Sequence, residues 1–225
     1  MNNIHWDFTD KVVLVVGSSR GIGKGVVDRF KRAAANVIEL NSSVCDIKYK
    51  EEIDTFIDSI HKVDILVNVA AVNYTKKIQD ITFQEWDEVL NVNLRGIFYI
   101  TKKVLEFMPD GGKIVNVSSI AGRHRSLVSG VHYTSSKAGM IGLTKQVAYE
   151  VGDRNINVNC VCPSQTLTDM LKQSMTKKQQ KELSKSIPLK RIATVKEQVN
   201  PIMFLCSDEA SYITGTTLDV NGGQL

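Results

Sequence analysis

The sequence predicts an α/β fold, a single domain over 1–225 built on a doubly wound parallel sheet. Three observations predict it. Short runs that are apolar on consecutive positions alternate with segments of helical period, as in a sheet covered on both faces. The first run leads straight into a glycine-rich turn. Helix-start signals fall between later runs, and strand–helix–strand repetition implies right-handed crossovers.

The runs are 11–17 (KVVLVVG), 35–40 (ANVIEL), 63–70 (VDILVNVA), 112–119 (GKIVNVSS), 156–163 (INVNCVCP) and 217–223 (TLDVNGG). After the first, Val26, Val27 and Phe30 mark one helix. In 48–60, Ile53, Phe56, Ile57 and Ile60 mark one face of another. Thr82 and Glu85 read as a capping box, followed by Phe83, Trp86, Val89 and Leu90 at helical spacing. Thr194 and Glu197 repeat the device before Val199, Ile202, Leu205 and Cys206. Pro201 falls inside that last helix, where it removes a donor and is expected to kink the axis. The polar, lysine-rich stretch 171–190 breaks the pattern and reads as a surface loop or an active-site lid, so a substrate loop is expected at about 164–190.

Hydrophobic residues make up 43% and charged residues 23% of the 225, ordinary for a globular chain with a full core. The net charge of +4 comes with no basic run, which argues against a nucleic-acid partner. Cys45, Cys160, Cys162 and Cys206 show no CxxC spacing and lie in apolar stretches, so reduced, buried thiols and a cytoplasmic location are expected. The N-terminal stretch lacks the apolar core of a signal peptide, and no apolar run approaches the roughly 20 residues that cross a bilayer. His5, His61, His124 and His132 have no metal-ligand spacing, and no metal site is expected.

The first strand runs into Gly17-Ser-Ser-Arg-Gly21-Ile-Gly23 and then a helix. Glycines there let the backbone turn tightly and approach a pyrophosphate seated on the helix N-terminus, the arrangement of a Rossmann fold. The expected contacts in this loop are Gly17, Ser19, Arg20, Gly21, Ile22 and Gly23.

The spacing GxxxGxG resembles that of the short-chain dehydrogenase/reductase family, and the likeness runs from Lys11 to Gly223. Asp46-Ile47 resembles the family's adenine-contacting pair. Asn68-Val69-Ala70-Ala71 takes the place of its Asn-Asn-Ala-Gly motif, with Asn68 and Ala70 matching. The segment from Pro163 through Thr166 to Thr168 resembles the one that holds the nicotinamide carboxamide, and 213–215 with 219–223 resembles the C-terminal signature. The chain departs from the pattern at Val16, where a threonine usually ties the glycine turn, and at Val69, Ala71 and Ser164.

The resemblance implies an NAD(P)(H)-dependent oxidoreductase that interconverts a carbonyl and a secondary alcohol. Tyr133-x-x-x-Lys137 matches the family's catalytic pair, and so does Tyr99-x-x-x-Lys103. Position decides for Tyr133. It begins a helix 14 residues after Ser119, which ends a strand, and the i, i+4 spacing puts Tyr133 and Lys137 on one helical face. Tyr99 has no such serine before it and reads as structural. A free phenol titrates near 10, and the Lys137 ammonium with an oxidised nicotinamide is expected to favour phenolate. Tyr133 then gives or takes the proton, and Ser119 bonds the substrate oxygen. The resemblance adds that Lys137 holds the nicotinamide ribose and that Asn93 anchors a water leading from Lys137 to solvent.

NADP(H) is expected over NAD(H), because neutral Asn41 stands where NAD-selective relatives carry an acid, and Arg20 is placed to reach a 2′-phosphate. The segment from Asn41 to Asp46 is too short for the usual intervening helix, which leaves the adenosine pocket open. Arg123, His124 and Arg125 follow Ser119 closely and suggest an anionic substrate. The substrate pattern resembles both β-ketoacyl reductases and dihydrodiol or sugar alcohol dehydrogenases, and the resemblance implies a tetramer or dimer built on the helices of Asn93 and Tyr133. A non-enzymatic dinucleotide sensor on the same fold is the alternative, but it would be expected to lack one of Ser119, Tyr133 and Lys137. An epimerase or dehydratase of nucleotide sugars is disfavoured because no further substrate domain follows the last strand.

Overall fold

The computed structural model describes residues 5–126 and 128–224. The first four residues of the N-terminal stretch read above lie outside the described residues.

Each apolar run forms a strand: β1 (Val12–Val16), β2 (Asn36–Leu40), β3 (Ile65–Asn68), β4 (Lys113–Val117), β5 (Asn157–Pro163) and β6 (Thr217–Val220). They make one parallel sheet in the order β2-β1-β3-β4-β5-β6. In-register pairs such as Val16 with Leu40 and Val16 with Asn68 bring the C-terminal ends of β1, β2 and β3 level. The strand order reverses between β1 and β3. In open α/β sheets that point holds the ligand crevice.

Successive strand residues face opposite sides, which explains why the runs are apolar throughout. Leu14, Val16, Leu66, Ile114 and Val158 pack with α2 (Lys50–Asp58), α4 (Ile97–Leu105) and α6 (Val131–Glu150). Val13, Val15, Val67, Val115 and Val161 pack with α1 (Gly21–Arg32) and α9 (Val195–Leu205) on the other side. All four cysteines are free and buried. Among the described residues no helix is long and apolar enough to cross a membrane.

Both expected capping boxes form, at the start of α3 (Phe83–Leu90) and of α9, and α9 continues through Pro201. The apolar face expected on α3 is only half realised. Val89 is buried, while Phe83 is 87% exposed and Trp86 sits at the surface. Between α3 and α4 the chain widens into a π-turn at Asn91–Gly96, a local form that often marks functional sites. Residues 41–49 contain no helix, as their shortness implied.

The stretch 171–190, read as a surface loop or a lid, is largely helical. It holds two short helices, α7 (Asp169–Ser174) and α8 (Lys177–Lys185). α8 begins with a capping box in which the Thr176 and Gln179 side chains take each other's backbone amides. No residue of α8 whose side chain is described is buried, so the hydrophobic pattern had nothing to show.

Candidate active site

The glycine loop closes against the end of β3. Gly17 has φ +90°, and a Cβ there would come within 2.5 Å of the Ala70 backbone nitrogen. Ala70 in turn donates its amide to the Val16 carbonyl at 2.9 Å. A Cβ on Gly23 would lie 2.0 Å from the Gly17 carbonyl oxygen. The tie that threonine would supply at position 16 is made elsewhere, by Ser18. Its fully buried hydroxyl donates to the Leu40 carbonyl at 3.3 Å and accepts from Asn41 Nδ2 at 3.3 Å. Sequence reasoning missed Ser18, although a serine inside the glycine loop was the available signal.

This cradle fits a dinucleotide. α1 starts with no side-chain cap and no acidic residue in its first turn, so its amides are open to an anion. Ser19 and Arg20 are exposed at the loop and Ile22 packs onto the α1 face of the core. Across from them, the Thr168 methyl lies 3.2 Å from where a Gly21 Cβ would be, while the Thr168 hydroxyl accepts the Leu171 amide. The root of the α7–α8 segment therefore sits over the glycine loop. Thr166 is buried, with its hydroxyl on the Ser164 carbonyl.

The side chains of three expected cofactor contacts have partners within the protein. The Asn68 amide nitrogen is engaged by Asn116 at 2.8 Å and Thr101 at 3.3 Å, inside the sheet. The Ile47 side chain belongs to the core, because its carbonyl abuts Gly96 of the π-turn. The Asp46 carboxylate accepts the Lys48 amide and pairs with the Lys48 ammonium at 3.2 Å. The Asn68 Oδ1 is buried and makes no hydrogen bond among the described residues. Asn41 is likewise turned inward, bonding Ser18 and accepting from both the amide and the hydroxyl of Ser43.

Ser119, Tyr133 and Lys137 come together beyond the C-terminal end of β4. The Ser119 oxygen caps α5 (Ile120–Arg123) by accepting the Ala121 amide at 3.1 Å. That leaves its O–H to donate, and the Tyr133 phenol lies within hydrogen-bonding reach. Burial pushes the Tyr133 phenol above its ordinary value and Ser119 pulls the other way. Lys137 is 2% exposed, its ammonium donates to the Val117 carbonyl at 2.8 Å, and it stands 5.7 Å from the Tyr133 ring centroid. Burial lowers its pKa to about 8. With burial the larger effect, the phenol of the free protein stays protonated at neutral pH.

The Lys137 shift carries a stability prediction. Between pH 8 and 10.5 the unfolded chain binds a proton at Lys137 that the folded chain does not, so stability rises with pH through that window. The gain of the parent over Lys137→Met across the window should reach roughly 3 kcal/mol, read by urea denaturation at several pH values. A constant difference between the two would refute the buried, depressed ammonium.

Asn93 lies in the π-turn and is fully buried. Its Oδ1 accepts the Val72 amide, and its Nδ2 donates to the Val72 carbonyl and to Ser136 Oγ. The side chain thus joins the segment after β3 to the helix that carries Tyr133. Tyr99 bonds Asp54 of α2 at 2.6 Å and Lys103 pairs with Asp58, away from this constellation. Arg123 is engaged from another strand. Its guanidinium makes a bidentate pair with Asp219 of β6, at 3.1 and 3.0 Å, so its charge is taken. Arg125 is exposed.

Comparison with known proteins agrees with this geometry. Residues 39–224 match a family model described as enoyl-(acyl carrier protein) reductase. The chain is 36% identical to the 3-oxoacyl-[acyl-carrier-protein] reductase FabG of Aquifex aeolicus, covering 95% of this chain and 96% of that one. The aldohexose dehydrogenase of Thermoplasma acidophilum superposes with a TM-score of 0.88 at 31% identity, over 96% of this chain and 94% of that one. The angucycline C-6 ketoreductase LanV with bound NADP superposes with a TM-score of 0.89 at 25% identity, over 100% of this chain and 99% of that one.

Proposed function

The chain belongs to the short-chain dehydrogenase/reductase family and is an NAD(P)-dependent oxidoreductase, and we propose that it reduces the ketone of a 3-oxoacyl thioester with NADPH. The observation that carries this reading is Ser119 and Tyr133 brought together beside the buried Lys137 ammonium. Two donors meeting at one oxygen suit a carbonyl that becomes an alkoxide, where charge develops during reduction.

Gly17, Ser19, Arg20, Gly21, Ile22 and Gly23 would hold the dinucleotide phosphates, and Thr166 and Thr168 would hold its nicotinamide end. Bound there, NADPH supplies the hydride that the carbonyl carbon accepts. Ser119 donates to the ketone oxygen and so orients the carbonyl. Tyr133 delivers its proton to that oxygen, giving the alcohol. Lys137 steadies the phenolate that remains and holds the nicotinamide ribose. The backbone carbonyl of Asn93 holds a water through which the proton is replaced. The segment 164–190 acts as a lid that excludes water over the reacting groups.

An enoyl substrate, named in the family model, offers a carbon–carbon double bond with no oxygen at the reacting carbons. The two neighbouring hydroxyls favour the ketone. Exposed Phe98 on α4 and Tyr149 on α6 support a homo-oligomer through those helices.

Cofactor preference follows from charge. No acid stands at position 41, just past β2, to repel a 2′-phosphate, and Arg20 is exposed in the glycine loop. NADPH should bind about 10- to 100-fold more tightly than NADH, the worth of one charge-assisted hydrogen bond to a guanidinium. Arg20→Ala should erase most of that margin. The same titrations, followed by turnover of a 3-oxoacyl thioester and of a neutral ketone, test the substrate. With Arg123 engaged by Asp219, an anionic group on the substrate falls to Arg125, so Arg125→Ala should raise KM for the charged substrate only. NADH binding more tightly than NADPH, or turnover restricted to sugars, would refute the reading.

A further inference from the structure

We propose that His132 is a positioning residue for Tyr133, supplying from its ring the N-terminal cap that the helix α6 otherwise lacks. The inference rests on the reading of Tyr133 as the proton donor.

Among the described residues, four helices start from a threonine whose hydroxyl accepts the amide of the third helical residue. Thr82, Thr168, Thr176 and Thr194 accept from Glu85, Leu171, Gln179 and Glu197. α6 starts from Gly130, which has no side chain to do this. Its third residue is Tyr133, and the Tyr133 amide donates instead to His132 Nδ1 at 2.9 Å. A helix leaves its first amides without intrahelical partners, so this bond takes over the threonine's task at the residue that bears the reacting phenol.

The surroundings hold the imidazole in that role. His132 is fully buried. Its ring lies against Gly130, where a Cβ would come within 2.5 Å of Cε1, and 6.0 Å from the Tyr74 ring. The Gly130 amide bonds the Tyr74 carbonyl, the Thr75 hydroxyl bonds the Val128 carbonyl, and the Tyr74 hydroxyl bonds Glu88 of α3. The segment after β3, the turn before α6 and α3 thus close around one ring. Because Nδ1 accepts, the ring proton is on Nε2, which is buried and makes no hydrogen bond among the described residues. Packing alone would be served as well by a leucine, with no donor left over. The acceptor at Nδ1 is what the imidazole adds.

The test compares His132→Leu, which keeps buried bulk without an acceptor, with His132→Asn, whose Oδ1 stands as many bonds from Cα as Nδ1 does. Loss of the cap should lower kcat of the leucine variant about tenfold, since small misplacements of a reacting group cost rate rather than binding. KM and the NADPH dissociation constant should hold within about twofold. The asparagine variant should retain kcat within about threefold of the parent, a rescue that packing would not give. Amide exchange at Tyr133, followed by NMR on the substrate-free chain, should accelerate in the leucine variant only. Parental kcat and protection in His132→Leu would overturn the proposal. A loss in His132→Asn as large as in His132→Leu would do the same. If His132→Leu does not fold, the asparagine variant decides alone. A parent without ketone-reducing activity would sink the proposed reaction, while the exchange measurement would still test the cap.

Discussion

Tyr133→Phe should lower turnover by about 10²- to 10⁴-fold, the usual worth of a positioned general acid. The phenol is a buried proton donor beside Ser119. Removing one oxygen leaves the packing of α6 in place, and Ser119 keeps its second partner, the Ala121 amide. Melting temperature and the dissociation constant for NADPH should therefore stay near those of the parent. Tyr99→Phe is the matched control. It forfeits the bond to Asp54, about 1 kcal/mol of stability, and should leave turnover intact. Equal losses of turnover in the two variants would show that the choice between the two Tyr-x-x-x-Lys matches is wrong.

Gly17→Ala should weaken dinucleotide binding at least about 100-fold and lower the melting temperature as well. Two physical facts combine at this position. The backbone has φ +90°, which residues with a side chain rarely adopt, and the new Cβ would sit 2.5 Å from the Ala70 nitrogen. That neighbour is backbone of the strand-end turn, so no rotamer change relieves the contact. The loop must open, and its opening removes the cradle for the pyrophosphate. Gly142→Ala within α6 is the counterpart, since nothing lies within 4 Å of its added Cβ. There the substitution should be neutral or stabilising by up to about 1 kcal/mol. A Gly17→Ala chain that binds NADPH as the parent does would refute the cradle.

Most of the fold was legible along the chain because its signals are local. A parallel strand buried on both faces must be apolar at every position, and all six runs became strands. The capping boxes at Thr82 and Thr194 announced two helices because the cap is made within four residues. α8 escaped notice because it buries none of its described side chains, leaving its capping box as the one cue. Phe83 misled for the opposite reason, since apolar spacing shows which residues share a helix face and not whether anything covers that face.

The site divides in the same way. Sequence alone determined the family, the glycine loop, and Ser119 with Tyr133 and Lys137, because glycine geometry and i, i+4 spacing are properties of a few neighbouring residues. Only the tertiary structure decided what distant residues do to them. It engaged Arg123 with Asp219, 96 positions away. It turned the Asn68 amide nitrogen into the sheet toward Asn116, and it replaced a missing threonine with Ser18 by bringing Leu40 alongside. It also set the protonation of the pair, since burial raises the Tyr133 phenol and lowers Lys137. Desolvation depends on everything packed around a group, and sequence spacing does not encode it.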